Sequence, residues 1–188
     1  MKNLKTIAIA LVAFVTITAN AQDKKINAAK SKISWVGEKV TGKHEGTINV
    51  KDGVLTFKAD KLTGGNVTVD MTSVQVTDLK AGEGKEKLEG HLKAADFFGT
   101  DKFATSKIAF KSVKLKSAGV YTVTGDLTIK GITKPITFDL AVAKNSATST
   151  FKVDRTKYDI TYGSKSFFDS IGDKAIYDEF TLTVNLVF

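Results

Sequence analysis

Arg155 is the clearest candidate in this sequence for a charged side chain that binds a ligand. It is the only arginine in a chain of 188 residues. It shares the phase of Phe151 and Val153, whereas Lys152 and Asp154 take the opposite phase, so we expect it to point into the protein. A buried guanidinium needs a partner. It either pairs with an Asp or Glu inside the fold, or it holds the carboxylate or phosphate head group of a ligand.

The two histidines, His44 and His91, are the other candidates for polar contacts. They lack the i, i+4 spacing within a helix that is typical of paired metal ligands. The chain also contains no cysteine. The sequence therefore predicts no metal site and no cofactor. We expect both histidines at the mouth of a cavity, hydrogen-bonded to the backbone or to a ligand head group.

Catalytic motifs are absent from the sequence. It has no Gly-x-Ser-x-Gly elbow, no cysteine nucleophile and no glycine-rich phosphate loop. The Asp and Glu residues lie mainly in polar turns, although two carboxylates brought together by the fold would suffice for a hydrolase. We predict no catalytic residue and no enzymatic activity, with a hydrolase as the weakest alternative.

The net charge of +8 comes almost entirely from lysines spread along the chain. Base recognition and stacking favour arginine over lysine, so nucleic acid is not an expected partner. A lysine-rich surface is compatible with transient contact with anionic membrane head groups. Monomer and dimer are both compatible with the sequence.

The N-terminus has the pattern of a secretory signal peptide. Lys2 and Lys5 precede an apolar run from Ile7 to Ile17, and small residues follow at 19–21. The apolar run is shorter than the roughly 20 residues that span a bilayer. We predict cleavage after residue 21 and a soluble periplasmic or secreted protein that is not a lipoprotein. Residues 22–188 then form one domain.

Alternating apolar and polar residues predict strands through most of this domain. The runs are Ile48–Val50, Leu55–Phe57, Val67–Met71, Ile108–Phe110, Tyr121–Ile129, Ile136–Val142, Phe151–Val153 and Phe180–Phe188. Asp52-Gly53 and Gly64-Gly65 predict turns between them, and Pro135 is expected where a strand starts. The apolar phase changes near Ser73 and Ser112, which predicts a β-bulge at each.

The number and length of these strands indicate an all-β fold. Eight or nine strands with short connections and no second helical layer leave a β-sandwich or a closed barrel. Closure removes both exposed edges of a sheet, so we favour an extended eight-stranded antiparallel barrel. Its inward residues are mostly Val, Ile, Leu and Phe, so a ligand held inside would be apolar.

One short helix interrupts the strands. Between Lys87 and Phe103, the residues Leu88, Leu92, Ala95 and Phe98 fall at helical spacing. We predict an amphipathic helix that lays its apolar side chains across one opening of the barrel. The alternative is that these side chains only plug that end as ordinary core.

A second irregular segment runs from Tyr162 to Tyr177. Phe167 and Phe168 stand together there among Gly, Ser, Lys and Asp residues, with no strand period to bury them. Adjacent aromatic residues in a polar loop need a partner surface or a ligand. We predict that this loop, more than the helix, is a movable entrance to the barrel.

Three motifs carry a resemblance to a known family. GHLKAADFFGTDKF followed by KIAF, then GDLTIKGITKPITFDLAV, and finally VDRTKYDITYG occur in this order. The chain from about residue 23 to 188 resembles the YceI-like family of exported bacterial proteins. The resemblance implies a lipocalin-like barrel whose apolar tunnel binds a long amphiphile, a polyisoprenoid or a fatty-acid derivative.

Site residues follow from the barrel phases and from the resemblance together. The family's His-Leu and Asp-Phe-Phe pattern matches His91, Leu92, Asp96, Phe97 and Phe98, and its late arginine position matches Asp154 and Arg155. Its Gly-Asp-Leu-Thr stretch matches Gly125, Leu127, Gly131, Thr133 and Pro135, which we interpret as fold-making. Many members carry Arg-Asp before the His-Leu pair, whereas this chain has Leu88-Glu89-Gly90, and Gly99 stands where an acid is common.

The expected function is a carrier that binds a long-chain isoprenoid or fatty lipid without altering it. The expected tunnel and mouth residues are Trp35, Phe57, Val69, Met71, Leu92, Phe97, Phe98, Phe103, Phe110, Phe138, Phe151, Phe167, Phe168 and Phe180. Arg155, His91 and His44 are the head-group candidates. The alternative is an interaction module of the cell envelope with a packed barrel interior.

Overall fold

A computed structural model describes residues 20–168 and 172–188. Residues 1–19 of the predicted signal peptide lie outside them. The strands are β1 (Ala21–Lys25), β2 (Lys32–Lys39), β3 (Gly42–Lys58), β4 (Lys61–Val76), β5 (Thr105–Ser117), β6 (Val120–Ile129), β7 (Ile132–Val142), β8 (Ser146–Asp154) and β9 (Ile176–Val187). The described residues contain one α-helix, α1 (Lys85–Lys93), and 3-10 turns at Ala28–Lys30, Arg155–Tyr158 and Gly172–Lys174.

The strands close into an antiparallel barrel, as the sequence predicts. Its order is β3-β2-β9-β8-β7-β6-β5-β4, and β4 pairs with β3 to complete eight strands. β1 adds to β3 on the same side as β2, with Lys25 opposite Val54 and Ile33 opposite Ile48. Because closure pairs the strands around the ring, the apolar phase of each strand faces one common interior.

Both predicted bulges are confirmed. The β3–β4 register shifts around Ser73, whose hydroxyl donates to the Asp70 carbonyl at 2.6 Å and accepts the Asn49 N–H at 2.9 Å. The β5–β6 register shifts between Phe110 and Ser112. The register shifts by three residues at the first bulge and by one at the second, and because both numbers are odd the apolar phase changes parity while the inward face continues along a bent strand.

Both predicted glycine turns are wrong. Asp52-Gly53 lies inside β3 and Gly64-Gly65 inside β4, and the connecting turn is at Ala59 and Asp60, with φ angles of 48° and 61°. The glycines serve close packing instead. A Cβ on Gly53 would lie 2.6 Å from the Asn66 oxygen, and one on Gly65 would lie 2.8 Å from the Val54 oxygen.

The β7–β8 joint is the least hydrogen-bonded part of the ring. Among the described residues the two strands pair only at Ala141–Thr148 and Val142–Ala147, next to their turn. Beyond it, the Phe138 and Phe151 rings stack with centroids 4.7 Å apart. Pro135 lies four residues into β7 rather than at its start. This stretch of β7 has a paired neighbour on one side only, where a missing N–H is tolerated.

The helix is shorter than predicted. α1 ends at Lys93, and Ala94 is extended, with φ −65° and ψ 162°. The chain then turns through Gly99, whose φ is +57° and whose N–H donates to the Ala94 carbonyl at 2.8 Å. Phe97 and Phe98 lie in this turn and not in the helix, but their side chains still reach the core. The apolar spacing in the sequence therefore continues past the end of the helix.

The helix and the long loop lie at the same end of the barrel. The Val76 N–H at the end of β4 donates to Glu89 of α1 at 2.8 Å. The His91 ring lies 4.4 Å from the Tyr162 ring of the loop. The β2–β3 turn reaches the loop too, since the Val40 N–H donates to the Ala175 carbonyl at 3.1 Å. This end is called the loop end below.

Candidate functional site

The barrel encloses an apolar cavity of about 180 Å³. Ten of the predicted tunnel residues line it, which are Trp35, Val69, Met71, Leu92, Phe97, Phe98, Phe110, Phe138, Phe151 and Phe180. They come from β2, β4, β5, β7, β8, β9 and the segment that begins at α1. Strands on every side of the ring therefore contribute to one apolar interior.

Four predicted tunnel residues lie elsewhere. Phe57 is buried, and its ring centroid lies 5.6 Å from that of Phe188 in a packed region. Phe103 packs toward Gly131 at the β6–β7 turn. Phe167 and Phe168 are 56% and 50% exposed in the loop.

Arg155 lies at the loop end of the cavity with only 2% exposure. Its Nε donates to the Tyr177 carbonyl at 3.1 Å, its Nη1 to Ile160 at 2.7 Å, and its Nη2 to Ile176 at 3.1 Å. Nη2 also lies 3.7 Å from Asp178 Oδ1. The guanidinium therefore links the chain after β8 to the start of β9. This agrees with the alternative in which Arg155 pairs with an acidic residue inside the fold.

The positive charge of Arg155 and the negative charges of the neighbouring carboxylates stabilise each other. Burial lowers the pKa of the guanidinium, and the carboxylates of Asp178 and Asp154 oppose that change. Burial also opposes ionisation of Asp178, but hydrogen bonds from Ser164 and Ser166, together with the Arg155 charge, outweigh it and lower its pKa. The result is an ion pair at the cavity end.

The two histidines lie at the loop end but do not line the cavity. His44 Nδ1 is 2.8 Å from Asp78 Oδ2, and the same carboxylate accepts the Glu45 N–H at 3.0 Å. His91 packs edge-on against Tyr162 and Phe97. His44 thus fixes the start of β3, and His91 joins the helix to the loop.

Ser106 is a polar residue of the cavity that was not predicted from the sequence. It is buried and lines the cavity as the second residue of β5, opposite Val69 in β4. It shares the even phase of Ile108 and Phe110, and this phase was the signal that could have identified it. Aliphatic residues absent from the predicted set complete the lining, among them Ile33, Ile48, Leu140 and Leu186.

The described part of the chain, residues 20–168 and 172–188, contains no cluster of three or more His, Asp or Glu side chains that could hold a metal. Nor does any helix in these ranges have the length and apolarity needed to cross a bilayer. The almost wholly apolar interior of the barrel is suited to binding a hydrophobic molecule.

Sequence comparison identifies the relatives of this domain. The YceI-like domain profile matches residues 25–188. The chain belongs to the YceI-like family. A UPF0312 protein of Shewanella denitrificans is 37% identical over 92 residues, which are 49% of this chain and 46% of that protein. Protein YceI of Shigella flexneri is 36% identical over 99 residues, 50% of this chain and 46% of that protein. The aligned part is about half the length of these curated relatives.

Solved structures of the YceI-like fold superpose on this chain. BcnA of Burkholderia cenocepacia has a TM-score of 0.65 and 22% identity, covering 87% of this chain and 99% of BcnA. A polyisoprenoid binding domain from Saccharophagus degradans has a TM-score of 0.58 and 13% identity, covering 90% of this chain and 97% of that domain. At these identities the likeness establishes the barrel fold of this YceI-like chain.

Proposed function

We propose that this YceI-like protein is exported and binds a long-chain amphiphile, a polyisoprenoid or fatty-acid derivative, inside its barrel. It carries the lipid through the periplasm or outside the cell without chemical change. The observation that carries the proposal is the cavity inside the barrel with its almost wholly apolar lining. The fold it shares with a polyisoprenoid binding domain adds support.

The energetics favour a chain-like ligand. Each methylene buried from water stabilises the complex by about 0.8 kcal/mol. A lipid held in this way needs only a few polar contacts for orientation. Because Arg155 already donates to three carbonyls, its main role in the proposal is to hold the loop end in place.

The cavity volume limits how much of the chain is enclosed. At about 180 Å³ it is close to the engineered apolar cavities of roughly 150 Å³ that bind benzene. A long chain therefore places only part of its length in this volume, and the lining side chains move to admit the rest.

Native mass spectrometry of the exported protein, followed by solvent extraction, tests the proposal. We expect a stoichiometric long-chain lipid to be released. Trp35 is the only tryptophan and lines the cavity, so its fluorescence reports binding when the delipidated protein is titrated with farnesol. A protein that carries no lipid and takes up neither farnesol nor palmitate would contradict the proposal.

A pair of valine variants controls for the location of binding. Val69→Phe adds an aromatic ring inside the cavity, whereas Val40→Phe adds the same ring at an exposed position. We expect Val69→Phe to weaken farnesol binding at least tenfold and Val40→Phe to leave it unchanged. Equal affinities in both variants would mean that the lipid binds outside the barrel.

The exposed aromatic residues favour a second candidate function. Tyr162, Phe167 and Phe168 lie in the loop, Tyr177 lies at the start of β9, and all four are about half exposed. Aromatic side chains clustered in this way are typical of contact surfaces. In this alternative the loop binds another envelope component, and the Val69→Phe variant would keep that interaction intact.

A further inference from the structure

The fold gathers the excess positive charge of the protein at the end of the barrel opposite the loop end. This end is called the basic end below and comprises residues 21–32, 54–65, 113–122, 139–149 and 184–188. Nine lysines and three acidic residues lie in these ranges. The other positions of residues 22–188 contain seventeen basic and seventeen acidic side chains, which cancel. The basic end therefore accounts for the whole net positive charge of this part of the chain.

Contacts between strands and turns make the basic end one continuous surface. Lys24 of β1 donates from its Nζ to the carbonyl of Lys144 in the β7–β8 turn at 3.2 Å. The Val142 N–H at the end of β7 donates to the Gly119 carbonyl in the β5–β6 turn at 2.7 Å. β1 also pairs with β3 as far as Lys58, next to the β3–β4 turn. Lysines that are far apart in the sequence therefore surround one end of the barrel.

Most of the lysines at the basic end are not neutralised by an acidic partner. Within residues 20–168 and 172–188, Lys116 is the one of the nine that forms an ion pair, with Asp139. Lys24 lies over the rings of Phe57 and Phe188, with its Nζ 4.8 and 5.1 Å from their centroids. Like charges gathered at one end of a protein repel one another and attract a surface of opposite charge. The basic end is thus electrostatically complementary to an anionic surface.

An exposed leucine adds an apolar contact to the basic end. Leu115 is 60% exposed, the highest value for a large hydrophobic side chain in the described ranges, and it lies between Lys114 and Lys116. Among the residues that the structure describes, this part of β5 pairs with β6 alone, because the β4–β5 pairing ends at Ala109. Lysines along a free strand edge oppose the addition of a strand from another protein. An apolar side chain beside lysines is suited instead to the head-group region of a bilayer.

We propose that the basic end docks on the surface of a bilayer that contains anionic phospholipids. The lysines of the turns bind the phosphate groups, and Leu115 enters the boundary between head groups and acyl chains. The loop end lies at the opposite ends of the strands, so it faces away from this membrane. The inference does not rest on the proposed cavity function, because none of the nine lysines lines the cavity.

Sedimentation of the exported protein with sucrose-loaded vesicles measures the docking. One set of vesicles contains phosphatidylglycerol and phosphatidylethanolamine in equal parts, and the other contains phosphatidylcholine alone. We expect the wild-type protein to bind the anionic vesicles and not the phosphatidylcholine vesicles. The affinity should fall as salt is added, because salt screens exposed charges.

Two triple variants with the same net charge locate the docking surface. The basic-end variant combines Lys58→Gln, Lys61→Gln and Lys144→Gln. The loop-end variant combines Lys87→Gln, Lys102→Gln and Lys174→Gln, also at exposed positions. One lysine near an anionic membrane strengthens binding roughly fivefold. We expect the basic-end variant to bind anionic vesicles about a hundredfold more weakly than the wild type, and the loop-end variant to remain within about threefold of it.

A leucine variant distinguishes a bilayer from a soluble polyanion. Leu115→Ser removes the exposed apolar side chain of the basic end, and Val40→Ser removes one at the loop end as the matched control. We expect Leu115→Ser to weaken binding to anionic vesicles about fivefold and Val40→Ser to leave it unchanged. Neither change should alter binding to polyphosphate, which offers phosphate groups without an apolar layer.

Three results would overturn the proposal. A wild-type protein that does not bind anionic vesicles would mean that the basic end is only a solvated surface. Equal losses in the two triple variants would mean that net charge, and not this end, attracts the membrane. Wild-type vesicle binding by Leu115→Ser, together with equally tight binding to polyphosphate, would identify a soluble polyanion as the partner.

Farnesol titration of the same variants keeps the docking surface separate from the proposed function. All of these variants should bind farnesol as the wild type does, because the changed residues lie outside the cavity lining. Loss of vesicle docking with intact farnesol binding would leave the proposed function standing. Intact docking by a protein that takes up no lipid would overturn the proposed function alone.

Discussion

Replacing Arg155 with alanine should unfold the protein at markedly lower urea concentration. The guanidinium is 2% exposed and donates to the carbonyls of Ile160, Ile176 and Tyr177. Its removal leaves these acceptors without their donor, leaves the Asp178 carboxylate without its cation, and opens a cavity. All three losses come from removal of the same guanidinium, so their free energies are not additive.

The magnitude follows from the partners. Removing one member of a buried ion pair costs about 3–5 kcal/mol. A single hydrogen bond to a charged group is worth about 1.5–3 kcal/mol, so the loss of even one of the three bonds without replacement by water approaches the lower end of that range. For a domain of this size we expect the melting temperature to fall by about 6–20 °C.

Urea unfolding monitored by Trp35 fluorescence measures this change, with Lys157→Ala as the control. Lys157 lies two residues away and is exposed, and it is 3.7 Å from Asp154. We expect the control to lie within about 0.5 kcal/mol of the wild type. Arg155→Lys keeps the charge but not the fork of donors, so it should be intermediate. A loss below about 1 kcal/mol for Arg155→Ala would refute the anchoring role.

Three further perturbations have defined outcomes. The pKa of Asp178 is lowered from its ordinary value of 3.8, so its stabilisation is complete above that value and is lost as the pH falls through the lower folded pKa. Asp178→Asn should therefore flatten the loss of stability in urea unfolding below about pH 4, and an unchanged acid limb would contradict this. Gly46→Ala would bring a Cβ into clash with the Gln75 carbonyl oxygen and should cost about 3 kcal/mol or more, whereas Gly90→Ala in α1 meets nothing within 4 Å and should not destabilise. Similar urea midpoints for the two variants would argue against the close strand contact. Phe167→Ser combined with Phe168→Ser should speed release of farnesol in stopped-flow exchange, and unchanged kinetics would place the entrance elsewhere.

The barrel could be predicted because the alternation of apolar and polar residues is visible in each strand separately, and it fixes which side chains face the interior of the closed sheet. Inward positions such as Val69 and Phe138 alternate with polar neighbours, and each lines the interior of the ring. The changes of phase near Ser73 and Ser112 predicted bulges for the same reason. When the apolar residues of a strand switch from odd-numbered to even-numbered positions, the strand can keep its apolar face inside only if a bulge takes up the extra residues.

The errors arose where one residue type serves two purposes. Glycine marks turns in sequence, but Gly53 and Gly65 instead allow a neighbouring strand to approach, which depends on atoms distant in the chain. The true turn uses Ala59 and Asp60 in left-handed conformations that their residue types do not signal strongly. Phe57 has an inward phase, but phase does not report depth along the barrel axis, and its ring packs outside the cavity.

The sparse β7–β8 joint gives the barrel one direction in which it is mechanically soft. Separating any fully paired neighbours in the ring would break a ladder of backbone hydrogen bonds. At this joint, separation beyond the turn breaks the Phe138–Phe151 stack and the bond from Ser149 Oγ to the Asp139 carbonyl, at 2.6 Å. An aromatic stack contributes about 0.5–1.5 kcal/mol beyond its buried area. The circumference of the barrel can therefore increase at the β7–β8 joint at a lower free-energy cost than elsewhere. The volume available to a bound molecule would then depend on the thickness of that molecule as well as on the cavity of the unoccupied barrel.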